Sequence, residues 1–205
     1  SNPLLTEVRR FFESTGVTGQ IPEGTSIAAS PLFAKNVLLQ RADGLFANAD
    51  NITGRVPATL FGNCPNLSSC ESLFRSCSGI TDVLPGAGTD TSLQLFKCLT
   101  SETGAFTSLS SVAHLFDGCT GIYSQIPANL FVNTPGVTNA SYAFRDCGTL
   151  ASTTKGLYGE IPSTLLDSMP LLSDVSYMFS GCWNLGQTVI SSGAKYSLPV
   201  DDAGR

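Results

Sequence analysis

Phenylalanine recurs through this chain at Phe11, Phe46, Phe74, Phe116, Phe144 and Phe179, at intervals of 35, 28, 42, 28 and 35 residues by subtraction of the positions. Each interval is 28 residues, or 28 lengthened by seven or fourteen. Such a period constrains the fold more than any single residue does. A unit this short cannot bury its own apolar face, so successive units must stack on one another. The surroundings keep the same period. Seven residues before each Phe stand Leu4, Leu39, Leu67, Leu109, Val137 and Leu172. Four before it stand Glu7, Ala42, Cys70, Val112, Ala140 and Val175, where the first unit departs from the pattern. Three after it stand Ser14, Ala49, Cys77, Cys119, Cys147 and Cys182, and six after it Val17, Ile52, Ile80, Ile122, Leu150 and Leu185. Ten after it, Ile21, Val56, Leu84 and Ile126 are each followed by proline, and Leu-Phe or Leu-Leu pairs come next.

Two local periods alternate inside each unit. The stretch 172–182, LSDVSYMFSGC, is apolar at 172, 175, 178, 179 and 182. That spacing predicts a short helix with one buried stripe. Ser68, Ser110, Thr138 and Ser173 fall where an N-cap is wanted. The stretches 17–21, 52–56, 80–84, 122–126 and 157–161 alternate instead, which predicts short strands ended by the following proline. The expected fold class is therefore α/β: a leucine-rich-repeat-like solenoid of about six irregular repeats, with short parallel strands on one side and short helices or helical turns on the other. It reads as one domain over residues 1–205, with repeats over about 4–190 and a candidate C-terminal cap over 186–205.

Composition narrows the function. Charged residues are 13% of the chain, the formal net charge is −5, and Lys and Arg do not cluster, so nucleic acid is not an expected partner. No apolar run approaches the length of a transmembrane helix. The chain opens on Ser1 rather than Met and shows no leader-like stretch, so it reads as a mature or excised piece. Seven cysteines without a CxxC pair and a single histidine, His114, give no support to a zinc site, and no metal or cofactor is expected. The recurring Cys77, Cys119, Cys147 and Cys182 are read as a ladder of buried small apolar residues. Cys64, Cys70 and Cys98 lie off it, and a disulfide among them is left open. His114 occupies a variable repeat position shared with Tyr142 and Tyr177, so no catalytic residue is assigned and the chain is not read as an enzyme.

The run FxxCxxLxxxIP resembles the BspA-like leucine-rich repeats of bacterial surface proteins. Residues 74–85, FRSCSGITDVLP, and 116–127, FDGCTGIYSQIP, carry the resemblance most clearly, and it covers roughly residues 4–190. The LxGxIP step is also similar to that of plant-type repeats. The resemblance implies an extracellular or cell-surface binding module, adhesin-like and without catalysis of its own.

Strand residues pointing away from the core are the expected ligand-binding set. By alternation these are Thr18 and Gln20, Thr53 and Arg55, Thr81 and Val83, Tyr123 and Gln125, and Tyr158 and Glu160. Stacked in register they would form a column Thr18-Thr53-Thr81-Tyr123-Tyr158, whose tyrosines suit recognition of a protein or glycan ligand. A competing stripe is His114, Tyr142 and Tyr177. The alternative function is a structural spacer or assembly element of a larger surface protein, with end-to-end self-association.

Overall fold

The computed structural model describes residues 2–25, 27–87, 92–148 and 155–186. Leu150 and nearly all of the expected cap lie outside the described residues.

The aromatic plugs form one column. Phe12, Phe46, Phe74, Phe116, Phe144 and Phe179 stack ring on ring, with successive centroids 5.5, 5.5, 5.6, 5.8 and 5.5 Å apart. We number the six coils by these residues. The first plug is Phe12, not Phe11, which is 68% exposed. Its whole unit moves by one residue. Leu4 is an exposed residue rather than a core one, whereas Val8 is buried and Leu5 packs on the core. Glu7 pairs with Arg41, which sets Val8 level with Ala42 and removes the apparent departure of the first unit. A second column runs beside the first, with Phe33 on Phe61 at 5.5 Å and Phe96 on Phe131 at 6.1 Å. Phe131 meets Phe144 at 6.1 Å, which joins the columns. A single cluster of buried side chains reaches from Val8 to Leu185.

The expected α/β layering is not what the chain forms. Among the described residues there is no helix, only short strands: β1 (Gly19–Gln20), β2 (Ile52–Thr53), β3 (Tyr123–Ser124), β4 (Gly156–Gly159) and β5 (Asn184–Leu185). They make two small parallel sheets, β1-β2 and β3-β4-β5. The reason lies in where the amides go. In coil 2, Ala42, Gly44, Phe46 and Asn48 donate to the carbonyls of Ser69, Glu71, Leu73 and Arg75 in coil 3. The intervening amides of Leu45, Ala47 and Ala49 close three-residue turns on Ala42, Gly44 and Phe46. The amides of this stretch thus bond alternately between coils and within one, and they form no helical ladder. The other interfaces repeat this pattern from coil 1 to coil 6.

The turns require a left-handed residue two before and two after each plug. Gly44, Ser72, His114, Tyr142 and Tyr177 have φ of 61, 56, 54, 58 and 55°, and Asn48, Ser76, Gly118 and Asp146 have 56, 57, 73 and 55°. A right-handed helix cannot contain such residues. The apolar spacing of three and four is real, but here it belongs to tandem turns.

The expected N-caps are also redefined. Ser68 Oγ donates to the Gln40 carbonyl at 3.0 Å, Ser110 Oγ to that of Ser68 at 3.1 Å, Thr138 Oγ1 to that of Ser110 at 3.1 Å, and Ser173 Oγ to that of Thr138 at 3.0 Å. These hydroxyls clamp one coil to the next. The cysteines do the same from inside. Cys77, Cys119, Cys147 and Cys182 donate through Sγ to the carbonyls of Phe46, Phe74, Phe116 and Phe144 at 2.9, 2.8, 2.9 and 2.8 Å. All seven cysteines are free and buried, so no disulfide joins Cys64, Cys70 or Cys98. Burial pushes the Cys64, Cys77 and Cys182 thiols up to about 12 and raises Cys70, Cys119 and Cys147 in the same direction.

The seven-residue insertion after Pro22 forms a loop rather than helical turns. Ser30 Oγ closes it on the Pro22 carbonyl at 2.5 Å, and Thr59 Oγ1 in the next coil holds the carbonyls of Thr25 and Ala28. Two glycines are demanded by the approach of neighbouring coils. A Cβ on Gly79 would press into the carbonyl oxygens of Asp50 and Ile52, and one on Gly121 into those of Ser78 and Ile80. Backbone cannot step aside as a side chain can. Gly121→Ala is therefore expected to cost about 1–3 kcal/mol, read as a lower urea midpoint at unchanged m value.

Candidate functional site

The strand residues face outward as alternation requires, but not in one column. Gln20 pairs with Thr53, and Gly54 with Ile80, which sets Arg55 beside Thr81 one step on. Ser124 pairs with Leu157, which sets Gln125 beside Tyr158. Each of these coils is staggered by two residues against the expected register. An even shift keeps the same side chains on the same face, so the outward set survives while the column Thr18-Thr53-Thr81-Tyr123-Tyr158 does not. The face is also interrupted. No ladder joins coil 3 to coil 4 among the described strand residues; Leu84 N–H donates instead to Ser124 Oγ at 3.0 Å.

The result is two groups. On the first sheet, Thr18, Gln20, Thr53 and Thr81 are exposed, and Arg55 lies 3.0 Å from Glu23 and 3.9 Å from Asp82. On the second, Tyr123 and Tyr158 meet at 4.6 Å between centroids, with planes tilted by 32°. Gln125 and Glu160 flank a shallow groove floored by Ile126, Pro127 and Ala128.

The competing stripe has the more definite geometry. His114 and Tyr142 lie parallel, 4.6 Å apart with 3° between planes, and Tyr142 and Tyr177 follow at 5.0 Å and 15°. All three sit at the left-handed position two before the plug, with amides of His114 and Tyr142 bonded to the carbonyls of Ser141 and Ser176. The rings are therefore held by the interlocked backbone. Tyr177 is 61% exposed, while His114 and Tyr142 are partly so.

A charged cluster underlies the stripe. The Asp117 carboxylate is buried and is bound by Arg145 through Nε at 2.8 Å and Nη2 at 3.0 Å. It also meets His114 Nδ1 at 2.7 Å and Arg75 Nε at 3.6 Å. Such a two-pronged Arg–carboxylate pair fixes geometry as well as charge. Arg145 also places its guanidinium 5.0 Å from the centre of the Tyr142 ring, within range of a cation–π attraction. Sequence reasoning singled out the three rings but missed Arg75, Asp117 and Arg145. The signal was present, since these three occupy the residue after the plug in coils 3, 4 and 5 and alternate in sign.

Among the described residues, no group of three or more His, Cys, Asp or Glu side chains is placed to hold a metal ion, and no helix is long and apolar enough to cross a membrane. Comparison with known protein families, with curated proteins and with solved structures finds no match for this chain.

Proposed function

We propose that this chain is a non-catalytic binding module that engages a protein partner through the His114-Tyr142-Tyr177 stripe and the Arg145 guanidinium. The observation that carries the reading is the placement of three bulky rings at consecutive left-handed positions. Such a backbone costs a side-chain-bearing residue on the order of 1 kcal/mol relative to glycine, and Gly44 fills the same position in coil 2. Mutual stacking offsets part of that cost, at about 0.5–1.5 kcal/mol per pair. Burial adds little to offset the rest, because the rings stand at the surface. Pre-ordered tyrosines and an arginine are what protein recognition uses most, since little side-chain freedom remains to be lost on docking.

His114 is engaged by Asp117 on its edge and by Tyr142 on its face, which favours a structural and contact role over proton transfer. The likeness of the FxxCxxLxxxIP step to repeats of bacterial surface proteins supports an extracellular or cell-surface setting. A second reading places the ligand on the Tyr123-Tyr158 pair and the Gln125-Glu160 groove, where an amide, a carboxylate and an apolar floor suit a glycan.

The two readings separate in one experiment. The chain is screened against immobilised extracellular proteins and immobilised glycans, and any hit is re-measured with Tyr142→Ala/Tyr177→Ala and with Tyr123→Ala/Tyr158→Ala. Loss of a contact aromatic costs about 2 kcal/mol, roughly thirtyfold in affinity. We expect that loss for the first pair on a protein ligand. Unchanged binding by the first pair removes the stripe from consideration, and loss confined to the second pair transfers the role to the strand face.

A further inference from the structure

The inter-coil ladder has a direction, and its two outer edges are complementary. Around the plug, in every interface, four amides of one coil donate to carbonyls of the coil that follows it in the chain, while just before that stretch the direction reverses, as where Ser68 and Ser69 donate to the Gln40 carbonyl. Coil 1 therefore presents the carbonyls of Glu7, Arg9, Phe11 and Glu13, and coil 6 the amides of Val175, Tyr177, Phe179 and Gly181. None of these eight groups pairs with another coil among the described residues. The apolar interior is open at the same two places: Phe11 and Val175 occupy columns that are buried in the inner coils, yet they are 68% and 44% exposed. An unpaired ladder edge is a template for a further strand. Here the template is selective. Two of its four amides belong to left-handed residues, Tyr177 and Gly181, so an ordinary extended strand does not match it, and another coil of this kind does.

We propose that the donor edge of coil 6 binds the acceptor edge of coil 1 in a second copy of this chain, continuing the ladder and the phenylalanine column from Phe179 onto Phe12. The side chains agree with that register. Arg10 occupies the coil 1 position equivalent to Tyr177, and its side chain is 76% exposed. Stacked on a neighbouring copy it would lie over the Tyr177 ring, extending the His114-Tyr142-Tyr177 stripe with a cation. The contact joins different surfaces of the two copies, so it propagates into a filament instead of closing a symmetric dimer. This inference does not depend on the proposed ligand stripe.

Sedimentation velocity of the 205-residue chain over a wide concentration range tests it. We expect the chain to grow into a ladder of species. Phe11→Asp should block the acceptor edge and Val175→Lys the donor edge, leaving each variant monomeric alone. Mixed in equal amounts, the two retain one compatible pair of edges and should form a dimer that grows no further. If Val175→Lys loses the native circular dichroism, Leu171→Lys, at an exposed position of the same coil, replaces it. A wild-type chain that stays monomeric throughout overturns the proposal, as does an association that both single variants retain.

Discussion

Phe144→Ala is expected to lower the stability of this chain by about 3–5 kcal/mol, whereas Phe11→Ala lowers it by less than about 0.5 kcal/mol. The two residues belong to the same sequence pattern, and their packing separates them. Phe144 is fully buried and touches Phe116 and Phe179 in its own column and Phe131 in the second. Truncation there opens a cavity where the two columns meet, in a stack whose backbone is interlocked on both sides and cannot collapse to fill it. Phe11 meets Phe12 edge-on at 4.9 Å and otherwise faces outward. Phe12→Ala should fall between them, because its ring is stacked on Phe46 alone and otherwise meets only the edge of the exposed Phe11. Urea unfolding of the three variants gives the order directly. Equal losses for Phe11→Ala and Phe144→Ala would mean that the column does not begin at Phe12.

The doubled residues explain why the first unit misaligns by one. Phe11-Phe12 and Leu4-Leu5 offer two registers that fit the period almost equally. The deciding residue is Val8: only the later register puts it, instead of Glu7, in the apolar column of Ala42, Cys70, Val112 and Ala140. The other five plugs are legible because each has a leucine or valine seven residues before it and a cysteine or alanine three after it, a combination no other phenylalanine shares. The helical reading fails for a different reason. Apolar spacing reports which residues face the core, and tandem turns and a helix can share it; only the hydrogen bonds differ. The backbone choice was written elsewhere, in the column two after the plug, where Ser14, Asn48, Ser76, Gly118, Asp146 and Gly181 are residues that tolerate or favour a left-handed backbone. The outward strand set is read correctly from alternation alone because the two-residue stagger is even. The columns within it are not, since stagger is set between coils and leaves no trace inside one unit. The Asp117 cluster joins Arg75, Asp117 and Arg145 across three coils, and its trace in the sequence is the alternating charge at one repeat position, legible only when successive units are compared.

Alkaline pH should unfold this protein abruptly. Six thiols, those of Cys64, Cys70, Cys77, Cys119, Cys147 and Cys182, are held above their ordinary range because burial disfavours the thiolate. In an unfolded chain a thiol ionises near about 8.5. Between that value and the folded one, the folded chain keeps protons that the unfolded chain has lost, so stability falls as pH rises. Below about pH 8 the full stability is present, since both states are protonated. Above about pH 9, each thiol lowers stability by about 1.4 kcal/mol per pH unit. Six acting together remove roughly 8 kcal/mol within one unit, on the scale of the roughly 5–15 kcal/mol that holds a domain of this kind. Circular dichroism under reducing conditions should therefore show a cooperative transition between about pH 9 and 10.5. Cys119→Ala/Cys147→Ala isolates the thiols from tyrosine and lysine titration. The variant loses stability at neutral pH with its two inter-coil S–H bonds, yet its stability falls with pH less steeply, by about 2.7 kcal/mol per unit. Parallel slopes for the two chains above pH 9 would show that these sulfurs ionise in place and that the inner column is open to water.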